Sequence, residues 1–180
     1  MGADHPLSRP SLSERAFWLT SAVVLVADFF SKVWVRSSFG LWESRPLGRI
    51  GARAEPGTLA DFFRLTHVEN PGIAFGIDWG GRWLYVFLAA AVCVAILVNH
   101  RSWIAGRVGD ACAIGGVLSG AVGNLIDRLR QGTVTDFLDV GVTGAYRWPT
   151  FNVADSAIVV GVAYIVIREI LEDRSGGSGA

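Results

Sequence analysis

Two aspartates, Asp136 and Asp155, are the residues of this chain best suited to do chemistry. Asp136 lies in Gly132-Thr133-Val134-Thr135-Asp136-Phe137-Leu138-Asp139, where β-branched neighbours and Phe137 form a short apolar stretch that would bury a carboxylate. Asp139, farther along that run, is expected to be solvated. Asp155 lies in Phe151-Asn152-Val153-Ala154-Asp155-Ser156 at the expected start of a helix, where the dipole favours negative charge. It reads either as an N-terminal cap or as a catalytic acid. Two carboxylates brought to one site from different segments suit acid–base work. Like charges close together cannot both ionise cheaply, so one keeps its proton while the other acts as base. Such a pair can deprotonate a water, protonate a carbonyl oxygen and hand a proton to a leaving amine, which is peptide-bond hydrolysis. As a coupled pair they titrate together, and the residue types leave open which is the resting base.

The chain offers these aspartates little competition. His5, His67 and His100 are scattered over an arm, a loop and a charged turn, so no histidine-centred triad or metal cluster emerges. Two carboxylates without further convergent ligands make a weak site for a hard cation. No metal and no cofactor are expected. Cys93 and Cys112 fall inside apolar segments and suggest neither a disulfide framework nor a zinc site.

Other polar groups are embedded where apolar residues dominate. Charge near a bilayer centre is costly, so such groups tend to be paired or functional. Asp28 and Lys32 are at helical i, i+4 spacing with the acid first, which favours pairing. They read as an ion pair or interfacial anchor, or as part of a substrate site. In the run from Gly120 to Arg128, Asn124, Asp127 and Arg128 share a helical face. Asp127 and Arg128 could be interfacial charges, whereas a buried Asn124 needs hydrogen-bond partners.

Four apolar segments must position these groups. Hydrophobic residues make up 51% of the 180, and mean hydropathy is +0.40, high for a soluble domain. Residues 83–98 are apolar throughout, and residues 16–35, 111–129 and 154–170 are of similar length. A bilayer core needs roughly 20 such residues per helix. A soluble helical bundle is disfavoured, because too little polar sequence remains to cover four such helices. The chain is therefore expected to be an all-α membrane protein with four transmembrane helices. Between helices one and two, residues 36–82 are too long for a structureless loop. A small extramembrane β-rich module is expected there, with strand-like content at 59–68 and a turn-rich apolar patch at 72–77. Residues 130–150 read as polar and turn-rich.

In domain terms, residues 1–15 form an arm, residues 16–174 a single membrane domain, and residues 175–180 a flexible tail. The first apolar segment carries Asp28 and Lys32 and lacks a small-residue cleavage site, so it is expected to remain as a helix. Gly116-x-x-x-Gly120 and Ser119-x-x-x-Gly123 read either as close-packing motifs or as chance in a glycine-rich chain. Four crossings put both termini on one side, but arginines on both sides leave orientation undecided by the positive-inside rule. Net charge is zero, so nothing points to nucleic acid.

At this point the sequence closely resembles lipoprotein signal peptidase (signal peptidase II), a bacterial inner-membrane aspartic peptidase. The resemblance rests on Asp28-Phe29-Phe30-Ser31-Lys32, Glu69-Asn70-Pro71-Gly72-Ile73-Ala74-Phe75-Gly76, the run from Gly120 to Arg128, Val134-Thr135-Asp136-Phe137 and Phe151-Asn152-Val153-Ala154-Asp155. It departs from the family at residues 29–31 and in an insertion-like stretch at 45–55. The resemblance implies a catalytic dyad at Asp136 and Asp155. It implies supporting or substrate-binding roles for Asp28, Lys32, Asn70, Gly120, Asn124, Asp127, Arg128 and Asn152. It also implies a β-sheet cradle on the outer membrane surface, cytoplasmic termini, and a prolipoprotein substrate cut before a cysteine carrying diacylglycerol. Membrane lipid is a further expected partner, and a monomer is the expected state.

Two other classes remain as alternatives. A small proton-coupled transporter or channel component could use Asp28, Lys32, Asp127 and Asp155 as a relay, which requires polar groups through the bilayer depth. A structural assembly subunit would leave Asp136 and Asp155 replaceable.

Overall fold

Four long helices and a small antiparallel sheet make up the computed structural model, which describes residues 10–46, 59–72, 81–104, 106–142 and 146–176. The chain runs α1 (Leu12–Ser38), β1 (Ser44–Pro46), α2 (Leu59–Phe62), β2 (Phe63–Asn70), α3 (Gly81–Trp103), α4 (Val108–Arg130), β3 (Val134–Val142), β4 (Tyr146–Arg147) and α5 (Val153–Gly176). Most of the N-terminal arm, the 72–77 patch beyond Gly72, the 45–55 stretch beyond Pro46 and the last residues of the tail lie outside the described residues.

Local chemistry sets the helix ends. Ser11 caps α1 by accepting from the Glu14 N–H at 3.1 Å, so this helix starts within the residues expected to be an arm. α4 closes where Gln131 N–H and Gly132 N–H reach back to the Asp127 and Arg128 carbonyls. Gly132 adopts φ 89°, a left-handed conformation that glycine takes without a Cβ clash. The chain then turns directly into β3.

α4 is the central helix, with α1, α3 and α5 packed around it. Phe17, Cys93, Ile96, Ile114 and Leu118 form a buried apolar cluster between α1, α3 and α4. Where α1 ends, Val35 and Phe39 pack on Phe137 and partly buried Val153, which joins the helices to the sheet. At the opposite pole the start of α1 meets the end of α3 through Glu14–Arg101, and the start of α4 meets the end of α5 through Arg107–Glu172. The helices therefore alternate in direction.

Small residues allow this packing. A Cβ at Gly120 would stand 2.4 Å from the Ala154 carbonyl oxygen, and one at Gly123 would stand 2.4 Å from an Asp28 carboxylate oxygen. At Gly116 the nearest atom would be 3.6 Å away, an ordinary contact. Close approach thus decides Gly120 and Gly123, while Gly116 is not required by it.

Among the described residues three helices, α1, α3 and α4, are long and apolar enough to cross a membrane. α5 is of similar length, 24 residues, but carries Asp155, Arg168 and Glu169.

The sheet has the order β1-β2-β3-β4, all antiparallel. It differs from the expected module in two ways. Residues 59–62 form a helical turn, so the strand begins at Phe63 rather than Leu59. The segment expected to be turn-rich supplies β3, the longest strand, so the sheet is shared between the two connections on this side of the bundle. β3 gains its partner through pairing across the fold, with Asn70 opposite Val134 and Glu69 opposite Thr135.

Candidate active site

α1 contributes the foundation of the site. Helical spacing aligns Asp28 and Lys32, and their side chains meet at 2.8 Å with 1% exposure each. The Lys32 ammonium also reaches Asp127 Oδ2 at 2.9 Å and donates to Asn124 Oδ1 at 3.0 Å. Its three donors therefore have three oxygens to serve. Arg36, one turn farther along α1, pairs with Asp127 Oδ1 at 3.3 Å. Two acids and two bases balance, which makes their burial tolerable.

The start of α5 supplies the second layer. Asn152 Oδ1 accepts from the Asp155 N–H at 2.9 Å, and Asp155 Oδ2 accepts from the Asn152 N–H at 3.3 Å. This reciprocal pattern is a capping box. Asp28 Oδ1 accepts from the Ala154 N–H at 2.9 Å, so a second carboxylate sits at the same positive helix end. The N-cap is therefore Asn152 rather than Asp155, which returns the bond from the third helical position with one oxygen and leaves the other outside the cap. That oxygen, Oδ1, accepts from Asn124 Nδ2 at 2.7 Å.

β3 carries Asp136 into the same place. Antiparallel pairing of Phe137 and Leu138 with Phe151 sets the chain before α5 alongside β3, which brings Asn152 next to Asp136. Asn152 Nδ2 donates to Asp136 Oδ1 at 2.7 Å, and Asn70 Nδ2 donates to Asp136 Oδ2 at 2.9 Å. Asn70 Oδ1 accepts from the Gly72 N–H, an arrangement that turns its amide nitrogen toward Asp136. Asp136 is 1% exposed. Burial pushes its carboxyl up to about 7; the hydrogen bond from Asn70 opposes that shift, and the charge of Asp155 adds to it.

A cavity of about 510 Å³ opens between these groups. Asn70, Asn124, Arg128, Asp136 and Asp155 line its polar end, while Leu88, Val92, Ala121 and Ile158 line the apolar remainder. Arg128 crosses its rim, donating to the Gly72 carbonyl at 2.7 Å and the Asn124 carbonyl at 3.3 Å. The arrangement places two carboxylates, one buried and one half-buried, beside a space where a polar bond attached to an apolar body could lie.

Of the residues singled out from sequence, Asp28, Lys32, Asn70, Asn124, Asp127, Asp136, Asn152 and Asp155 join one hydrogen-bond network, and Arg128 borders it. Gly120 acts through the α4–α5 approach. Asp139 is corrected: it is 7% exposed, bound by Arg147 at 2.6 Å and Thr66 at 2.6 Å, because β3 is paired on both sides. Sequence reasoning missed Thr135, which is fully buried. Its hydroxyl bonds with Arg36, Gln131 and Glu69, and its N–H donates to Asp127. Arg36 was legible in principle, since Asp28, Lys32 and Arg36 recur every four residues. His67, expected in a loop, lies in β2 and contacts Phe39 O and Glu69.

A family model described as Signal peptidase (SPase) II matches residues 20–171. A lipoprotein signal peptidase of Syntrophus aciditrophicus is 38% identical over 88% of this chain and 94% of the relative. One from Yersinia enterocolitica is 37% identical over 90% of this chain and 91% of the relative. Among solved structures, one described as a bacterial membrane enzyme superimposes with a TM-score of 0.73 at 27% identity, covering 90% of this chain and 91% of the other. A second with the same description gives 0.67 at 26% identity, covering 86% and 92%.

Proposed function

The chain belongs to the signal peptidase II family, which makes it an aspartic peptidase of that type, and from this premise we propose that Asp136 and Asp155 are its catalytic dyad. The family relationship supports removal of signal peptides from prolipoproteins. The proposed cleavage is of the peptide bond preceding a diacylglyceryl-modified cysteine. The observation that carries the dyad is convergence: Asp136 from β3 and Asp155 from α5 line one cavity, each gripped by an asparagine amide.

In the proposed mechanism a water lies between the two carboxyl groups. Asp136 holds the shared proton, because burial raises its carboxyl to about 7. Asp155 is the base, since the helix dipole favours its charge. Asp155 takes a proton from water as the water oxygen bonds to the scissile carbonyl carbon. Asp136 gives its proton to the carbonyl oxygen, yielding a tetrahedral diol. Collapse returns a hydroxyl proton to Asp136 and breaks the C–N bond, while Asp155 delivers its proton to the leaving amine. Asn124 and Asn152 hold the two carboxylates, Lys32 holds Asn124 in turn, Asp28 and Asp127 hold Lys32, and Asn70 and Arg128 would meet the substrate backbone.

The proposed setting is the bacterial inner membrane. Residues 16–174 would form one membrane domain, and α5 would be the fourth crossing, presenting Val159, Val160, Val166 and Ile167 outward. The sheet would rest on the outer face, where exposed Trp42, Phe62 and Phe63 suit an interface, with both termini cytoplasmic and the chain a monomer. A proton relay would need polar groups farther into the bundle, where Phe17, Ile96, Ile114 and Leu118 cluster instead.

The test is cleavage of a diacylglyceryl-modified prolipoprotein by purified protein, with Asp136→Asn and Asp155→Asn compared to wild type. Wild-type activity that survives EDTA and vanishes in both folded variants is expected. Full activity in either variant removes that residue from the mechanism.

A further inference from the structure

The cavity at the aspartates does not end the apolar space between α3, α4 and α5. A second cavity, of about 410 Å³, lies on the same side of α4 toward the opposite pole. Val117 lines both. On α3 the lining passes from Leu88 and Val92 to Ile96; on α5 it passes from Ile158 to Val162 and Ile165. Because α3 and α5 both pack on α4, the two cavities, which share Val117, lie end to end along the cleft between these helices.

Charged groups line the far end of this cleft. Asp110 at the start of α4 pairs with Arg168 of α5 at 3.1 Å, and Arg168 also holds Glu172 at 3.2 Å. Trp103 at the end of α3 stands beside them. From Asp155 to Ile165 is ten residues of α5, about 15 Å of helix. That is half of a hydrocarbon core about 30 Å thick, the depth of one layer of lipid chains.

We infer that this cleft holds one acyl chain of the substrate lengthwise, and that the Asp110–Arg168 pair and Trp103 limit the chain length accepted. The inference rests on the lipidated-substrate reading above. A chain attached beside the scissile bond enters at the polar end, fills the first cavity, passes Val117 and ends at the ion pair. A short chain occupies only the first cavity.

The test uses purified full-length protein and two synthetic lipopeptide substrates that differ only in carrying dipalmitoyl or dioctanoyl glyceryl groups. The readout is the ratio of kcat/KM for the long-chain over the short-chain substrate. Val162→Phe narrows the second cavity and is expected to lower this ratio about tenfold, the scale of a misfit in an apolar pocket. Val160→Phe adds the same bulk on an outward face, where Val160 is 69% exposed, and is expected to keep the wild-type ratio. Trp103→Ala lengthens the cleft and, with a third lipopeptide carrying distearoyl glyceryl groups, is expected to raise kcat/KM for that substrate relative to the dipalmitoyl one. An unchanged ratio in Val162→Phe overturns the inference. So does an equal loss on both substrates, the pattern expected if a resident membrane phospholipid fills the second cavity. Failure of the wild type to cleave either substrate removes the peptidase reading itself, and the inference with it.

Discussion

Asn152 and Asp155 cap each other across the first turn of α5, and the same Asn152 side chain donates to Asp136 at 2.7 Å. One asparagine thus fixes both carboxylates, Asp155 through helix geometry and Asp136 through its amide. Stability and chemistry meet in this residue, but different atoms carry them, so substitution can separate the two.

Asn152→Ser retains an oxygen able to cap α5 and loses the amide that holds Asp136. It is expected to unfold close to wild type while losing most activity. Asn152→Ala loses both, with a stability cost of about 1 kcal/mol for the cap alone. Thermal unfolding alongside kcat/KM checks this pair. Equal activity in Asn152→Ser and wild type would show that the Asn152–Asp136 bond does not matter to the reaction.

Asp136 should govern the alkaline limb of the rate profile. In the proposed roles it must carry a proton, and its carboxyl is raised to about 7. kcat/KM is therefore expected to fall as pH rises through about 7, read from initial rates in matched buffers. A rate that stays flat well into the alkaline range would reverse the assignment of acid and base.

The same shift has a consequence for stability. Between 3.8, the ordinary carboxylate value, and about 7, the folded chain retains a proton that the unfolded chain has released. Stability should therefore decline as pH rises across that window and level off above it. The size is up to about 4 kcal/mol, at 1.36 kcal/mol per unit. Asp136→Asn stays neutral at every pH, so denaturation in detergent should find it inactive, more stable than wild type above about pH 7, and free of this slope.

Lys32→Met would leave Asp28 and Asp127 buried without the ammonium between them. A loss of about 3–5 kcal/mol is expected, as for other broken buried pairs. Asp28→Asn combined with Lys32→Met removes one stranded charge and should recover part of that loss. A double variant less stable than Lys32→Met alone would contradict charge stranding as the cause.

Glycine substitutions in α4 should rank by the room available. Gly123→Ala drives a methyl against Asp28 Oδ2 and Gly120→Ala against the Ala154 carbonyl, each at 2.4 Å. Each should destabilise by about 1–3 kcal/mol, the usual cost of overpacking. Gly116→Ala meets only an ordinary contact at 3.6 Å and should fall near or above wild type. Melting temperatures of the three variants give the order directly.

Sequence alone was enough to locate the long helices and to single out most of the polar residues that meet at the candidate site. Apolar runs long enough to span lipid locate α1, α3 and α4, and their cost for polar groups makes Asp28, Lys32 and Asn124 conspicuous. The i, i+4 spacing of Asp28 and Lys32 already implies their ion pair, because helix geometry is local. What sequence could not supply was pairing between distant segments. β3 gives no strong local signal of its own, and Thr135 and Asp139 are engaged by partners from other elements, Thr135 by Arg36 and Glu69 and Asp139 by Thr66 and Arg147. The decision that Asp136 and Asp155 share a cavity, and that Asn152 touches both, likewise waits on the β3–Phe151 pairing. Local spacing is written in the chain, whereas strand register and helix approach depend on contacts between residues far apart in it, which only the folded structure brings together.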